Sequence, residues 1–245
     1  GTKDAPGKTP GEFRTSQNWI GGGSPATASF VPPPAHEMMP ALDDLEKFLH
    51  AEDEYPPLIK AGLMHAQFET IHPFLDGNGR TGRLLTTFYL YKLGILEKPV
   101  LYLSEYFLNN KQAYYDALKG YHSENGDVVG WLDFFLDGVA IIAEEAITTS
   151  RKIHDLKKDD DRIIQSLGKG AKTAGNVVEN LYKLPITSVK KVEEWTNLSR
   201  PAANEVVKKL VTAGLLEQRD KAVEYGREFW HKRYLDLFLG TQEKQ

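Results

Sequence analysis

Twelve consecutive residues, His72 to Arg83 (HPFLDGNGRTGR), carry one imidazole, one carboxylate and two guanidinium groups around a glycine-rich bend. Gly77-Asn78-Gly79 tolerates positive φ and lets the main chain come close to a ligand. Its amides, joined to those of the next helix's first turn, would form an anion nest at the positive end of a helix dipole. Arg80 and Arg83 are three apart on that helix and share a face. Two forked cations beside a nest suit a polyphosphate better than a single carboxylate. Asp76 beside phosphates is a candidate Mg²⁺ anchor, with phosphate oxygens and waters completing the octahedron. His72, kept neutral, is a candidate general base near neutral pH. Each of these features alone is commonplace, since a Gly-Asn-Gly turn can simply connect two helices. Their conjunction at fixed spacing points to nucleotide chemistry. No Gly-Lys-Ser/Thr follows, so the loop is not a Walker A sequence.

The elements around this loop read as helices. PPLIKAGLMHAQFETIH starts behind prolines and must stop at His72, because the residue before Pro73 is pushed out of the α region. RTGRLLTTFYLYKLG is a second helix with Gly94 as its C′ stop. ALDDLEKFLH, LNNKQAYYDALKGYHSE and VVGWLDFFLDGVAIIAEEAITTSRKIHDL are further helices. Ahead of them, two short β-like runs flank GGGSPAT, which predicts a β-hairpin at about 19–31, ended by Pro32–Pro34. The charged KKDDDR at 157–162 marks a candidate domain boundary. Beyond it, Ser199 is the expected N-cap of a helix with Pro201 in its first turn, closed by Gly214. LLEQ and REFWHKRYL then read as two strands. Helix, turn, helix and ribbon form a winged-helix pattern. The expected fold is mainly α with one hairpin over residues 1–150, plus a small α+β winged-helix domain over 151–245.

Composition narrows the classes. The 245 residues are 41% hydrophobic and 26% charged, which allows one large or two smaller domains. The absence of Cys excludes disulfides, thiolate nucleophiles and Cys-ligated zinc, and suits a cytoplasmic protein. No segment reaches the roughly 20 apolar residues of a membrane helix. The first residue is Gly1 rather than Met, as in a fragment or a processed chain. The net charge of −4 divides into −9 over residues 1–150 (11 basic, 20 acidic) and +5 over the rest (19 basic, 14 acidic). Such asymmetry suggests two domains with different partners. Lys190, Lys191, Arg200, Lys208 and Lys209 surround the second domain's turn, where they could meet DNA phosphates, but Glu193, Glu194 and Glu205 are interleaved. Protein docking or homodimerisation are the other uses of such a module. His65, seven before His72, reads as a packed core histidine; His36, His50, His122, His154 and His231 belong to no visible constellation.

HPFLDGNGR followed by TGR resembles the signature of the Fic family, His-x-Phe-x-(Asp/Glu)-Gly-Asn-Gly-Arg-x-x-Arg, at every fixed position. GEFRTSQNWIGG, FVPPP, DLEKFLH, AQFETIHPF and EKPVLYLS also look like Fic-core sequence, so the resemblance spans about residues 10–150. It implies a Fic helical core with a flap, and AMP transfer from ATP to a Ser, Thr or Tyr hydroxyl of a target protein. His72 would take the hydroxyl proton, and Asp76 would hold Mg²⁺ on the leaving pyrophosphate. Gly77, Asn78, Gly79, Arg80, Thr81 and Gly82 would cradle the phosphates, Arg83 would hold their far end, and Phe74 would anchor the loop by packing. Asn110, Tyr114 and Tyr115 fall where the family builds part of its nucleoside pocket. The hairpin falls where the family docks its target by strand addition. Gly79 stands where the related Doc kinases carry Lys, which favours nucleotidyl over phosphoryl transfer. The inhibitory Ser/Thr-x-x-x-Glu-Gly/Asn motif of many relatives is not in this sequence and is expected upstream of Gly1. The rival expectations are a DNA-binding regulator with a nucleotide-sensing core, and phosphotransfer or AMP removal at the same site.

Overall fold

The computed structural model describes residues 11–52, 55–97 and 102–239. The chain divides into two compact units, Gly1–Glu144 and Glu145–Gln245. The first holds α1 (Ala35–His50), α2 (Pro57–Ile71), α3 (Asn78–Lys92), α4 (Leu103–Asn109), α5 (Lys111–Tyr121) and the opening of α6 (Val128–Ser166).

α2 is the centre of this unit. Ala61, Met64, His65, Ala66, Phe68 and Ile71 are all buried, so the helix is apolar around most of its circumference rather than along one stripe. Met38 and Leu45 of α1 cover one side with Met64, Phe68 and Ile71. Phe107, Tyr114, Leu118, Trp131 and Phe135 from α4, α5 and α6 cover the other. Gly62 lets α6 approach: a Cβ there would meet Leu132 and Phe135 at 3.0 Å. The buried Trp131 indole donates to the Gly62 carbonyl at 2.8 Å.

Two sequence expectations change here. The single helix over 108–124 is two, because Asn110 leaves the α region (φ −113°, ψ 37°) between α4 and α5. The hairpin is reduced to one antiparallel bridge, Ile20 to Phe30, around a 3-10 turn at Pro25–Thr27. Gly21 and Gly22 have positive φ, and a Cβ on Gly22 would run into the Thr27 carbonyl. The tight Ser24–Thr27 capping contacts leave no room for a regular ladder.

The second unit holds the rest of α6, then α7 (Ala171–Leu181), β1 (Ile186–Ser188), α8 (Val189–Thr196), α9 (Arg200–Thr212), β2 (Glu217–Gln218), β3 (Glu228–Trp230) and α10 (Lys232–Leu239). The strands form an antiparallel sheet in the order β1-β3-β2, with Trp230 opposite both Ile186 and Glu217. Val177, Leu181, Val192, Val207, Leu210, Leu215 and Phe229 make its core. KKDDDR, the expected boundary, lies inside α6, and the two units divide earlier on that helix, between Glu144 and Glu145. Asp160 in it is buried, and accepts from the Tyr182 hydroxyl at 2.7 Å and from Arg233 at 2.8 Å. REFWHKRYL is a strand only to Trp230. Its second half is helical, held by Lys232–Asp236 and Tyr234–Phe238 contacts four residues apart. Ser199 precedes α9 without a side-chain cap bond, whereas Ser188 caps α8 by accepting from the Lys191 amide at 3.3 Å. No helix among the described residues is long and apolar enough to cross a membrane.

Candidate active site

Pro73 ends α2, and His72 takes the left-handed conformation (φ 48°, ψ 59°) as its C-cap. A non-glycine residue there costs on the order of 1–2 kcal/mol and is held by its surroundings. Its amide donates to Phe68 at 3.0 Å. Its carbonyl accepts from Arg14 Nε at 3.0 Å and from the Asn18 amide at 3.3 Å. The ring Nδ1 lies 3.3 Å from the Glu69 carbonyl. A carbonyl only accepts, so Nδ1 carries the proton and Nε2 keeps its lone pair. Burial lowers the pKa of His72; the bond to Glu69 opposes this and the charge of Arg14 adds to it. The imidazole is therefore a neutral base at pH 7.

The loop after His72 closes on itself. The Asn78 side chain donates to the Phe74 carbonyl at 2.7 Å and accepts from the Phe74 amide at 2.8 Å. Gly77 is left-handed (φ 88°) and caps α3. The first intrahelical bond of α3 is Thr81 N–H to Gly77 carbonyl at 3.0 Å, so the amides of Asn78, Gly79 and Arg80 precede it and face outward for an anion. Arg83 Nε donates to Ser104 at 2.9 Å. A Cβ on Gly79 would lie 3.0 Å from Arg83 Nη1, close enough that the guanidinium would have to shift by a few tenths of an ångström.

These groups open into one cavity of about 1170 Å³. His72, Asp76, Gly77, Gly79, Arg80 and Arg83 line it, with Ile20, Gly21 and Phe30 of the flap and Tyr114 and Tyr115 of α5. Such a space, with convergent cations and a neutral base, can hold a nucleotide and activate a hydroxyl beside it.

Residues 2–90 match the Fic/DOC family. That match lies in the first unit. "Protein adenylyltransferase Fic" of Aedes aegypti is 32% identical over 129 residues, covering 52% of this chain and 23% of that protein. The Drosophila ananassae protein of the same name is 33% identical over the same shares. The chain thus spans under a quarter of the length of these relatives. The crystal structure of a Fic family protein from Desulfovibrio desulfuricans G20 has a TM-score of 0.52 at 23% identity, covering 94% of this chain and 64% of that one. That likeness speaks for the fold.

Within the first unit, the structure redistributes several expected roles. Asn78 lines the cavity, but its side chain ties the loop, leaving only its backbone for a ligand. Thr81 and Gly82 lie outside the cavity lining. Gly82, on α3, is buried against α2, where a Cβ would meet Phe68, Glu69 and His65 at 3.1–3.4 Å. Asn110 is also outside the lining, and its amide donates to the Tyr106 carbonyl at 2.9 Å. Tyr114 lines the cavity with its ring, while its hydroxyl lies 3.1 Å from His65 Nε2. His65 is fully buried between Tyr114 and Thr86 and stacks on Trp131; burial holds it near pKa 4. It is the packed histidine its spacing predicted.

Three residues were missed. Arg14 is buried and donates to the carbonyls of Ile71, His72 and Pro33, which pins the start of the flap to the catalytic turn. His122 lines the cavity, stacks on Phe30 at 3.8 Å and bonds Thr70 at 2.7 Å; burial holds it near pKa 4. Glu69 lines the cavity from α2, and burial pushes its carboxyl up to about 7 against the pull of Arg83. Only Glu69 left a sequence signal, an acid three residues before the base on one helix.

For the Mg²⁺ expectation, no group of three or more His, Asp or Glu is placed to hold a metal among the described residues. Asp76 lines the cavity beside the glycine nest, and the other lining carboxylates, Glu69 and Asp116, belong to α2 and α5. That donor set fits a cation that keeps its waters and shares phosphate oxygens, and does not fit an all-protein cage.

Proposed function

We propose that this chain transfers AMP from ATP to a hydroxyl side chain of a protein, its own chain included, and releases pyrophosphate. One observation carries this: a neutral His72, with its lone pair on Nε2, shares a cavity with the glycine nest and both arginines. His72 Nε2 takes the proton of the target Ser, Thr or Tyr. The hydroxyl oxygen forms a bond to the α-phosphorus as the bond from that phosphorus to the bridging oxygen breaks. The amides of residues 78–80 and Arg80 hold the phosphates, and Arg83 holds their far end. Phosphoryl chemistry needs positioning and charge neutralisation above all, and these groups supply both. Asp76 would hold Mg²⁺, which would neutralise charge on the departing pyrophosphate. The flap edge at Ile20–Phe30 would dock the target segment. Gly79 supports nucleotidyl over phosphoryl transfer, since the Doc kinases that the motif resembles carry Lys at this position.

The second unit is read as a winged helix on its order of α7, β1, α8, α9 and the β2–β3 ribbon. Lys191 and Lys208 are each paired with a glutamate at 2.8 Å. That reduces the charge offered to DNA phosphates and favours protein docking, a second copy included. The lack of Cys suits a cytoplasmic setting. Intact-mass measurement after incubation with ATP and Mg²⁺ tests the reaction. An increment of one AMP minus water supports it; a phosphoryl increment would make the site a kinase.

A further inference from the structure

Glu69 sits on the last turn of α2, three residues before His72, and is only 5% exposed. Its Oε2 lies 3.8 Å from His72 Nδ1, and its own backbone carbonyl lies 3.3 Å from the same nitrogen. The carbonyl accepts the N–H, and the carboxylate stands beside the ring as a charge. Its other oxygen, Oε1, is buried without a hydrogen-bond partner. A carboxylate left like this is costly, and such groups are found where the chemistry uses them. The ionisable groups around the pair are Arg83 on α3, Tyr114 on α5, His65 on α2 and Arg14 ahead of the flap. His65 and Tyr114 are bonded to each other, Arg83 donates to Ser104, and Arg14 holds carbonyls. In the reaction proposed above, His72 is the neighbour whose charge changes.

We propose that Glu69 is the acidic partner of His72: its backbone carbonyl fixes the tautomer that leaves Nε2 basic, and its carboxylate holds the imidazolium once Nε2 has taken the hydroxyl proton. It is a positioning residue, forming no bond to nucleotide or target. This rests on the AMP-transfer reading only for its second half, since the pairing exists in the free protein.

The test is NMR of the His72 ring, whose signals are identified by their loss in His72→Ala. In the full chain they should respond to two steps, their own and one near pH 7 where Glu69 takes its proton. In Glu69→Gln the step near 7 should vanish. Alongside, Glu69→Gln should slow transfer at saturating ATP by roughly tenfold or more, a share of what a general base supplies. ATP affinity should stay within about twofold, and Glu69→Asp should recover part of the rate. Identical His72 titrations in wild type and Glu69→Gln would overturn the pairing. A loss of ATP affinity equal to the loss of rate would also overturn it, placing Glu69 with Arg83 instead. If the step vanishes as expected but the wild type transfers no AMP, the pairing stands and the AMP-transfer reading fails.

Discussion

At the scale of residues, the site stores strain and an uncompensated charge together. His72 sits in a conformation that L-residues avoid, and Glu69 beside it is a buried acid with one oxygen unpaired. The sign of the Glu69 effect on stability follows from linkage. Its folded pKa, about 7, lies above the ordinary carboxyl value of 4.5 because the group is buried. Its protonated form is favoured in the fold, so that contribution is full below about pH 4.5 and is lost as pH rises through 7. Glu69→Gln removes the charge, so at pH 8 it should raise the unfolding free energy by about 1–3 kcal/mol. Urea unfolding at pH 8 and pH 5 checks this, with the gain absent at pH 5. Gly79→Ala places a methyl 3.0 Å from Arg83 Nη1. It should weaken ATP binding by roughly tenfold, the order of one charge-assisted contact, as read by calorimetry. The residues of the loop were legible because their chemistry is local: His72 to Arg83 is one turn and one helix start. Arg14 and His122 were not, because they act 58 and 52 residues away along the chain, on His72 and Thr70. A linear pattern cannot show such pairs.

At the scale of elements, the site is made by where α2 stops and α3 starts. Pro73 stops one and Gly77 starts the other, and Asn78 ties the turn between them. Those helices were legible, since prolines and glycines mark their ends. The flap was read in outline. Two short β-like runs near 19–31 suggested a hairpin, and positive φ at Gly21 and Gly22 curls the chain so that the pairing is a single bridge. Its order comes instead from Arg14, whose guanidinium joins its base to carbonyls at Pro33, Ile71 and His72. Arg14→Ala would leave several buried acceptors unpaired. It should cost roughly 2–4 kcal/mol of stability at about 1–3 kcal/mol per buried group, measured by denaturant unfolding, and should loosen the flap in hydrogen exchange. α10 was misread as strand because REFW carries β-favouring residues, whereas the four-residue spacing of Tyr234 and Phe238 decides the turn that follows.

At the scale of the molecule, two cores serve two tasks. The residues of the second unit's core, from Ala174 to Phe229 with Ile164, are not shared with the clusters around α2. The charge asymmetry in the sequence anticipated two parts, but not the helical continuity of KKDDDR, since Asp160 finds its partners at Tyr182 and Arg233 only after folding. Separate cores predict separable damage. Leu210→Ala should destabilise the second unit by about 2–5 kcal/mol, seen as an earlier melting step, while ATP affinity stays within about twofold.

The central claim is that His72 is the base for AMP transfer. The most direct measurement incubates the chain with Mg²⁺ and ATP labelled at the α- or the γ-phosphate, beside His72→Ala. The account predicts protein-bound α-label in the wild type, a fall of about 10²–10⁴-fold in the variant, and no bound γ-label. Bound γ-label without α-label, or α-label undiminished in His72→Ala, would contradict it.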